Sequence, residues 1–157
     1  MAGSSGYLYV VRLAPTAFTA SRTLIQIVAG AAAIDLVGAT ISQITKSTSE
    51  LLRIQILRKT VAATVTSATP ILLNAGDSVS LAVGGTTLTG VNASAEGTDG
   101  DVLADGVWNV LNGEYNILDI PEMRRRVPQA GIVGLKLITA PAASMTIGGM
   151  LYFIEYR

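Results

Sequence analysis

Four acidic residues, Glu96, Asp99, Asp101 and Asp105, fall within one short run and alternate with Gly97, Gly100 and Gly106. Carboxylate oxygens on a flexible loop are the chemistry of a calcium site. The run lacks the glutamate that closes a helix–loop–helix calcium loop, so it reads as a solvated acidic loop and no metal is assigned to it. Glu50, Glu114, Asp119 and Glu122 supply the carboxylates a glycosidase needs, but no spacing singles out a pair. Sugar sites also use aromatic platforms, and aromatics are only 5% of this chain. Arg124-Arg125-Arg126 follow Glu122-Met123. Guanidinium groups clamp phosphate or carboxylate. With no aromatic residues interleaved, acidic groups on a protein partner suit the triplet better than nucleic acid. Gly30, Gly84-Gly85 and Gly148-Gly149 match neither a phosphate loop nor a dinucleotide fingerprint, and read as turns and bulges.

Two absences narrow the chemistry further. The 157 residues contain no histidine and no cysteine. Serine–histidine and cysteine–histidine nucleophile systems are thereby excluded, as are disulfides, iron–sulfur clusters and thiolate zinc sites. The expectation is a protein that is not an enzyme, with no catalytic residues, no cofactor and no small-molecule substrate. Eleven basic residues balance eleven acidic ones. A net charge of zero gives no field to gather nucleic acid or an anionic membrane, so neither is expected as a partner.

Charged residues make up 14% of the chain and hydrophobic residues 50%, with a mean hydropathy of +0.50. The most apolar stretch, Leu24 to Ala39, is interrupted by Gln26 and Asp35 and is too short to span a bilayer as a helix. Met1 to Gly6 lacks a basic residue before an apolar run, which does not read as a secretory signal. The segment is expected to be flexible. The surplus of apolar residues therefore points to burial between subunits, because large obligate interfaces need few charges.

The elements that must position these residues are β-strands in one domain spanning residues 1–157, about eight to ten of them by spacing. Tyr7–Leu13 reads as a strand ended by Pro15, Arg22–Val28 as a second and Ala33–Ile44 as a third. Leu51–Lys59 carries a Ser47–Glu50 capping box, yet Leu52, Ile54 and Ile56 alternate with Arg53 and Gln55, which favours a strand. Pro70–Leu73 and Ser78–Val83 follow, the latter with Val79, Leu81 and Val83 facing inward, then Thr86–Val91. Ala93–Asp105 reads as an exposed, mobile loop. Val107–Leu111 and Tyr115–Ile120 flank Asn112-Gly113, a hairpin signal. Arg124 to Arg126 are expected on a connection, between Pro121 and Pro128. Ile132–Thr139 puts Val133, Leu135 and Leu137 on one face. Met145–Arg157 places Met150, Tyr152, Ile154 and Tyr156 on one face, and Leu151, Phe153 and Glu155 on the other. A strand apolar on both faces is central in its domain or covered by another subunit, so the Met150 row is the expected subunit interface.

Ser21-Arg22-Thr23-Leu24, the run Gly106 to Gly113, the Ile120-Pro121-Glu122 step, and Ala140-Pro141-Ala142 to Thr146 followed by Leu151-Tyr152-Phe153-Ile154-Glu155 resemble the capsid decoration (cement) proteins of tailed bacteriophages. The resemblance covers Tyr7 to the end and is one of pattern. It implies an all-β, single-domain, jelly-roll-like antiparallel β-sandwich. It implies a homotrimer on the exterior of the phage head, made in the bacterial host's cytoplasm and bound to the major capsid protein. Two other functions compete. A tail or head-fibre module binding a host-surface glycan would expose Trp108, Tyr115 or Tyr7, and a small hydrolase is disfavoured by the missing histidine.

Overall fold

The computed structural model describes residues 6–157. Met1 to Ser5 of the segment expected to be flexible lie outside the described residues, and Gly6 already belongs to a strand. Twelve strands follow in order: β1 (Gly6–Phe18), β2 (Arg22–Val28), β3 (Ile34–Gln43), β4 (Leu51–Val61), β5 (Thr64–Ser67), β6 (Ile71–Leu72), β7 (Gly90–Ala95), β8 (Thr98–Asn109), β9 (Tyr115–Leu118), β10 (Arg125–Val127), β11 (Ile132–Leu137) and β12 (Met145–Tyr156). The first sheet runs β10-β3-β12-β1-β6, with β9 also paired to β3. The second runs β5-β7-β2-β11-β4-β8. Every strand pairing within them is antiparallel.

With β5 to β7 set aside as an insertion, β1-β12-β3-β9 faces β2-β11-β4-β8. This is the jelly-roll order, in which successive strands of the sequence alternate between sheets except at β4 and β8, which are neighbours in one sheet. The alternating residues of β1, β3 and β12 on one side, and of β2, β4 and β11 on the other, form one buried core. Tyr9 and Phe153 stack within it, their ring centroids 5.4 Å apart. Each such side chain contributes about 1.5–3 kcal/mol on burial. Leu52, Ile54 and Ile56 of β4 are all in this core, so alternation decides that segment against its helix-forming composition.

Several expectations are corrected. Pro15 does not end β1: the register to β12 shifts between Leu13 and Thr16, and this irregularity absorbs the residue that cannot donate a hydrogen bond. Ala93–Asp105 is not a loop. It runs from the end of β7 into β8, whose acidic residues lie across from basic residues of β4. Asn112-Gly113 turns the chain, but from β8 in one sheet to β9 in the other, so the flanking strands do not pair as a hairpin. Ser78–Val83 is not a strand, and its polarity is inverted: Ser80 and Ala82 are buried while Val79, Leu81 and Val83 face out. The cause is Glu155, whose buried carboxylate accepts from Ser80 Oγ and the Leu81 amide, both at 2.9 Å.

Gln26, which interrupts the apolar run, pins the insertion onto the second sheet. Its side chain donates to the carbonyls of Ala63 and Leu88 and accepts from the Ala63 amide at 2.8 Å. Beside it lies a charged box. Lys59, with no exposed side chain, sits 2.6 Å from Asp99 and 3.4 Å from Glu96. Lys136 reaches the same two carboxylates. The Thr23 amide and hydroxyl each donate to Glu96 at 2.6 Å. Burial pushes the Glu96 carboxyl up, but the Thr23 donors and the two lysines outweigh it and hold it below its ordinary 4.5. Asp99 is likewise lowered from 3.8, burial being outweighed by the hydrogen bonds and charges of Lys136 and Lys59. Lys136 is raised above 10.5, burial being outweighed by Asp99 and Glu96.

The signs give a pH window. Depressed carboxylates stabilise the fold above their unfolded values and lose that contribution as pH falls through their folded ones. A raised lysine stabilises it below 10.5 and loses that as pH rises through its folded value. Melting temperature should therefore hold level between roughly pH 5 and 10 and fall on both sides. Glu96→Gln should flatten the acid limb in thermal melts. An unchanged acid limb would remove the box from the account.

Candidate interaction surface

The outer faces of the two sheets differ in chemistry. On the second sheet, β4 and β8 carry cross-strand ion pairs. Arg53 pairs with Asp105, Gln55 donates to Asp105 at 3.1 Å, and Arg58 lies 3.8 Å from Asp101. Hydrogen bonds from Arg53 and then Gln55 bring the Asp105 carboxyl down to about 2. The four acidic residues singled out in the sequence are thus dispersed among four basic partners, Arg53, Arg58, Lys59 and Lys136. Among the described residues no group of three or more acidic side chains converges to hold a metal ion.

The first sheet is different. Its register lines up one residue from each of five strands: Ile71 opposite Val10, Val10 opposite Tyr152, Tyr152 opposite Gly38, and Gly38 opposite Leu118. An apolar row therefore crosses the sheet from β6 to β9. Beside Tyr152, Gly38 has no side chain, and a Cβ there would collide with the Ile117 carbonyl and crowd the Leu118 side chain. Tyr152 is half-buried, and Leu118 is 76% exposed. The adjoining rows bring in polar and charged residues. Leu8 and Ile154 lead to Asp35 and Arg126, and Arg12 and Met150 lead to Thr40 and Asn116. An apolar centre with a polar rim is the anatomy of a protein–protein contact. All four residues expected at a subunit interface, Met150, Tyr152, Ile154 and Tyr156, lie half-buried on this face. Residues the sequence did not suggest are Ile71, Val10, Leu8 and Leu118, because only the register brings them beside β12.

The arginine triplet is divided. Arg125 and Arg126 belong to β10, not to a connection, because Val127 is buried against the core and extends the pairing with β3. Arg125 turns toward the seam between the sheets. It pairs with the buried Asp119 and donates from Nε to the Leu103 carbonyl of β8 at 2.7 Å. Arg126 is exposed, with its guanidinium 5.6 Å from the Tyr156 ring and 3.8 Å from Asp35. Arg124 is half-buried, and its Nε has no hydrogen-bond partner.

The other candidates are occupied elsewhere. Glu50 accepts from the Ala142 amide at 2.6 Å and pairs with Lys46, which lower it together against the opposing effect of burial. Asp119 belongs to Arg125, and Glu122 lies on a short 3-10 turn. Glu114 lines a shallow depression of about 180 Å³ with Arg12, Thr40 and Ser42, smaller than typical small-molecule sites. Trp108 is buried and donates to the Gly113 carbonyl at 3.0 Å. Tyr115 is half-buried, and Arg157 covers the ring of Tyr7. No helix of the described residues is long and apolar enough to cross a membrane. No family model, no curated protein and no solved structure matches the chain.

The division of the triplet is testable. Arg125→Ala strands the Asp119 carboxylate and should cost about 1.5–3 kcal/mol of folding stability in denaturant melts. Arg126→Ala, at an exposed position, should stay within about 0.5 kcal/mol. Equal effects would contradict the division.

Proposed function

We propose that this chain is a non-enzymatic structural protein of a tailed-phage virion, which coats the outside of the head as a homotrimer and cements its major capsid protein. The jelly roll alone does not decide this, since capsid proteins, lectins and enzymes share it. The observation that carries the proposal is the apolar row across the first sheet, from Ile71 to Leu118, with Tyr152 at its centre. A second copy covering this face would bury apolar surface in a chain with only 14% charged residues. The motif resemblance supplies the head as the setting.

Mechanistically, a protein that binds only the assembled shell stabilises it by mass action. Three linked sites make individually modest contacts effectively tight. The glycan-binding fibre module remains the alternative, but its aromatic candidates, Trp108, Tyr115 and Tyr7, form no exposed platform.

Light scattering on the purified protein should give about three times 16.3 kDa at micromolar concentration. Tyr152→Asp should weaken self-association by roughly 30-fold or more, the scale of a central interface residue. A monomeric wild-type protein would overturn the proposal.

A further inference from the structure

Five asparagines are present, and only Asn112 is followed by glycine. A glycine carries no Cβ, so its amide nitrogen is the one a preceding side chain reaches with least hindrance. The turn between β8 and β9 leaves this pair unengaged. Asn112 and Gly113 are both exposed and lie outside any strand. Among the described residues, neither the Asn112 side chain nor the Gly113 amide has a hydrogen-bond partner. Gly113 holds a φ of +78°, and nothing lies within 4 Å of the place a Cβ would take. Asn109 shows the opposite case. Its side chain donates to Ser49 at 2.9 Å and accepts from the Leu111 amide at 3.1 Å.

The other side chains capable of the same ring closure are held. Asp99-Gly100 and Asp105-Gly106 both lie within β8. Asp99 is bound by Lys59 and Lys136, and Asp105 by Arg53 and Gln55. Both carboxyls sit below their ordinary values, Asp99 despite its burial and Asp105 at about 2, so they stay ionised near neutral pH and resist attack. Asn92 accepts from Arg22 at 3.1 Å. Asn74 and Asn116 precede Ala75 and Ile117, whose side chains crowd the amide.

We infer that Asn112 is a site of spontaneous deamidation, through which the β8–β9 crossing is rebuilt as isoaspartate. The Gly113 nitrogen, its proton taken by hydroxide, attacks Asn112 Cγ. The side-chain nitrogen takes a proton from water and leaves as ammonia, and a succinimide closes. Water then opens the ring. Cleavage at Cγ leaves aspartate. Cleavage at the main-chain carbonyl leaves isoaspartate, whose chain runs through Cβ and Cγ and is longer by one carbon. Either product adds a negative charge to a chain of net charge zero. Only water and hydroxide are consumed.

The extra carbon falls where the span is fixed on both sides. Before it, the Val110 amide donates to the Glu50 carbonyl at 3.1 Å, and Trp108 Nε1 donates across the turn to the Gly113 carbonyl at 3.0 Å. After it, Tyr115–Leu118 joins the first sheet against β3. A longer backbone moves the Gly113 carbonyl off the buried indole and loosens the entry to β9.

The test ages the full-length protein in warm, mildly alkaline buffer beside a synthetic peptide of residues 109–116. Peptide mapping and methyl transfer by an isoaspartate-specific methyltransferase follow the reaction. Conversion at Asn112 should run within about tenfold of the peptide's rate, because no structure has to open first. A slower rate overturns the inference. Asp99 and Asp105 should stay unaltered over the same period, and isomerisation there at the pace of Asn112 would show that the fold does not select the site. Asn112→Gln, whose larger ring closes far more slowly, should not form the acidic product. Its persistence in that variant overturns the assignment. The purified isoaspartate form should melt about 2–4 °C below fresh Asn112→Asp, which carries the charge without the extra carbon, the scale of one lost hydrogen bond in a domain of this size. Equal melting overturns the loosening of the crossing.

Discussion

The parity of β12 governs the rest of the molecule. Met145, Ile147, Leu151 and Phe153 must point into the core, because β12 is flanked by β1 and β3 and has the second sheet beneath it. Side chains alternate along a strand that no bulge interrupts, so two further residues of β12 have no choice. Glu155 is carried inside with Phe153, and Tyr152 is carried outside with Met150 and Ile154. A buried carboxylate must find donors, and it finds them in Ser80, Leu81 and Arg157. That bond turns Ser80 inward and therefore Val79 and Leu81 outward. One parity sets the apolar row on the sheet and the apolar ridge at its end.

The two sheets solve the problem of their outer faces differently. The second covers its middle with Gln26 and the Lys59–Lys136–Glu96–Asp99 box, and lines its long edge strand β8 with aspartates. Charged edges resist pairing with stray strands. At the seam between the sheets, Arg125 bridges Asp119 and the β8 backbone, so charge is used there as a fastener. The first sheet carries no comparable network over the Ile71–Leu118 row. Charge is scarce in this chain, and much of it serves the second sheet and the seam.

Sequence periodicity was sufficient for β2, β4, β11 and β12, because each carries uninterrupted alternation or a run buried on both faces. It also sufficed for the all-β sandwich and for the face that Tyr152 occupies. It failed where the deciding partner is distant in sequence. Asp99 and Asp105 look solvated until Lys59 and Arg53 are placed across from them. Val79 and Leu81 look like core residues until Glu155 is known to hold Ser80. Asn112-Gly113 announces a turn in the chain but says nothing of which sheet the next strand joins. The apolar row is a property of register across five strands and has no linear signature.

The pairing of β1 with β12 sets Gly6 opposite Tyr156, joining segments from nearly opposite ends of the chain. During synthesis β1 and β3 emerge early but lack the strand that belongs between them. Their edges cannot be paired through β12 until β12 has left the ribosome. Such non-local closure is slow, and it exposes sticky edges meanwhile. The same geometry works in reverse once the sheet has formed. To unravel it, β12 must be drawn from between two neighbours along its whole length, a large barrier that makes the subunit long-lived by rate, whatever its equilibrium stability.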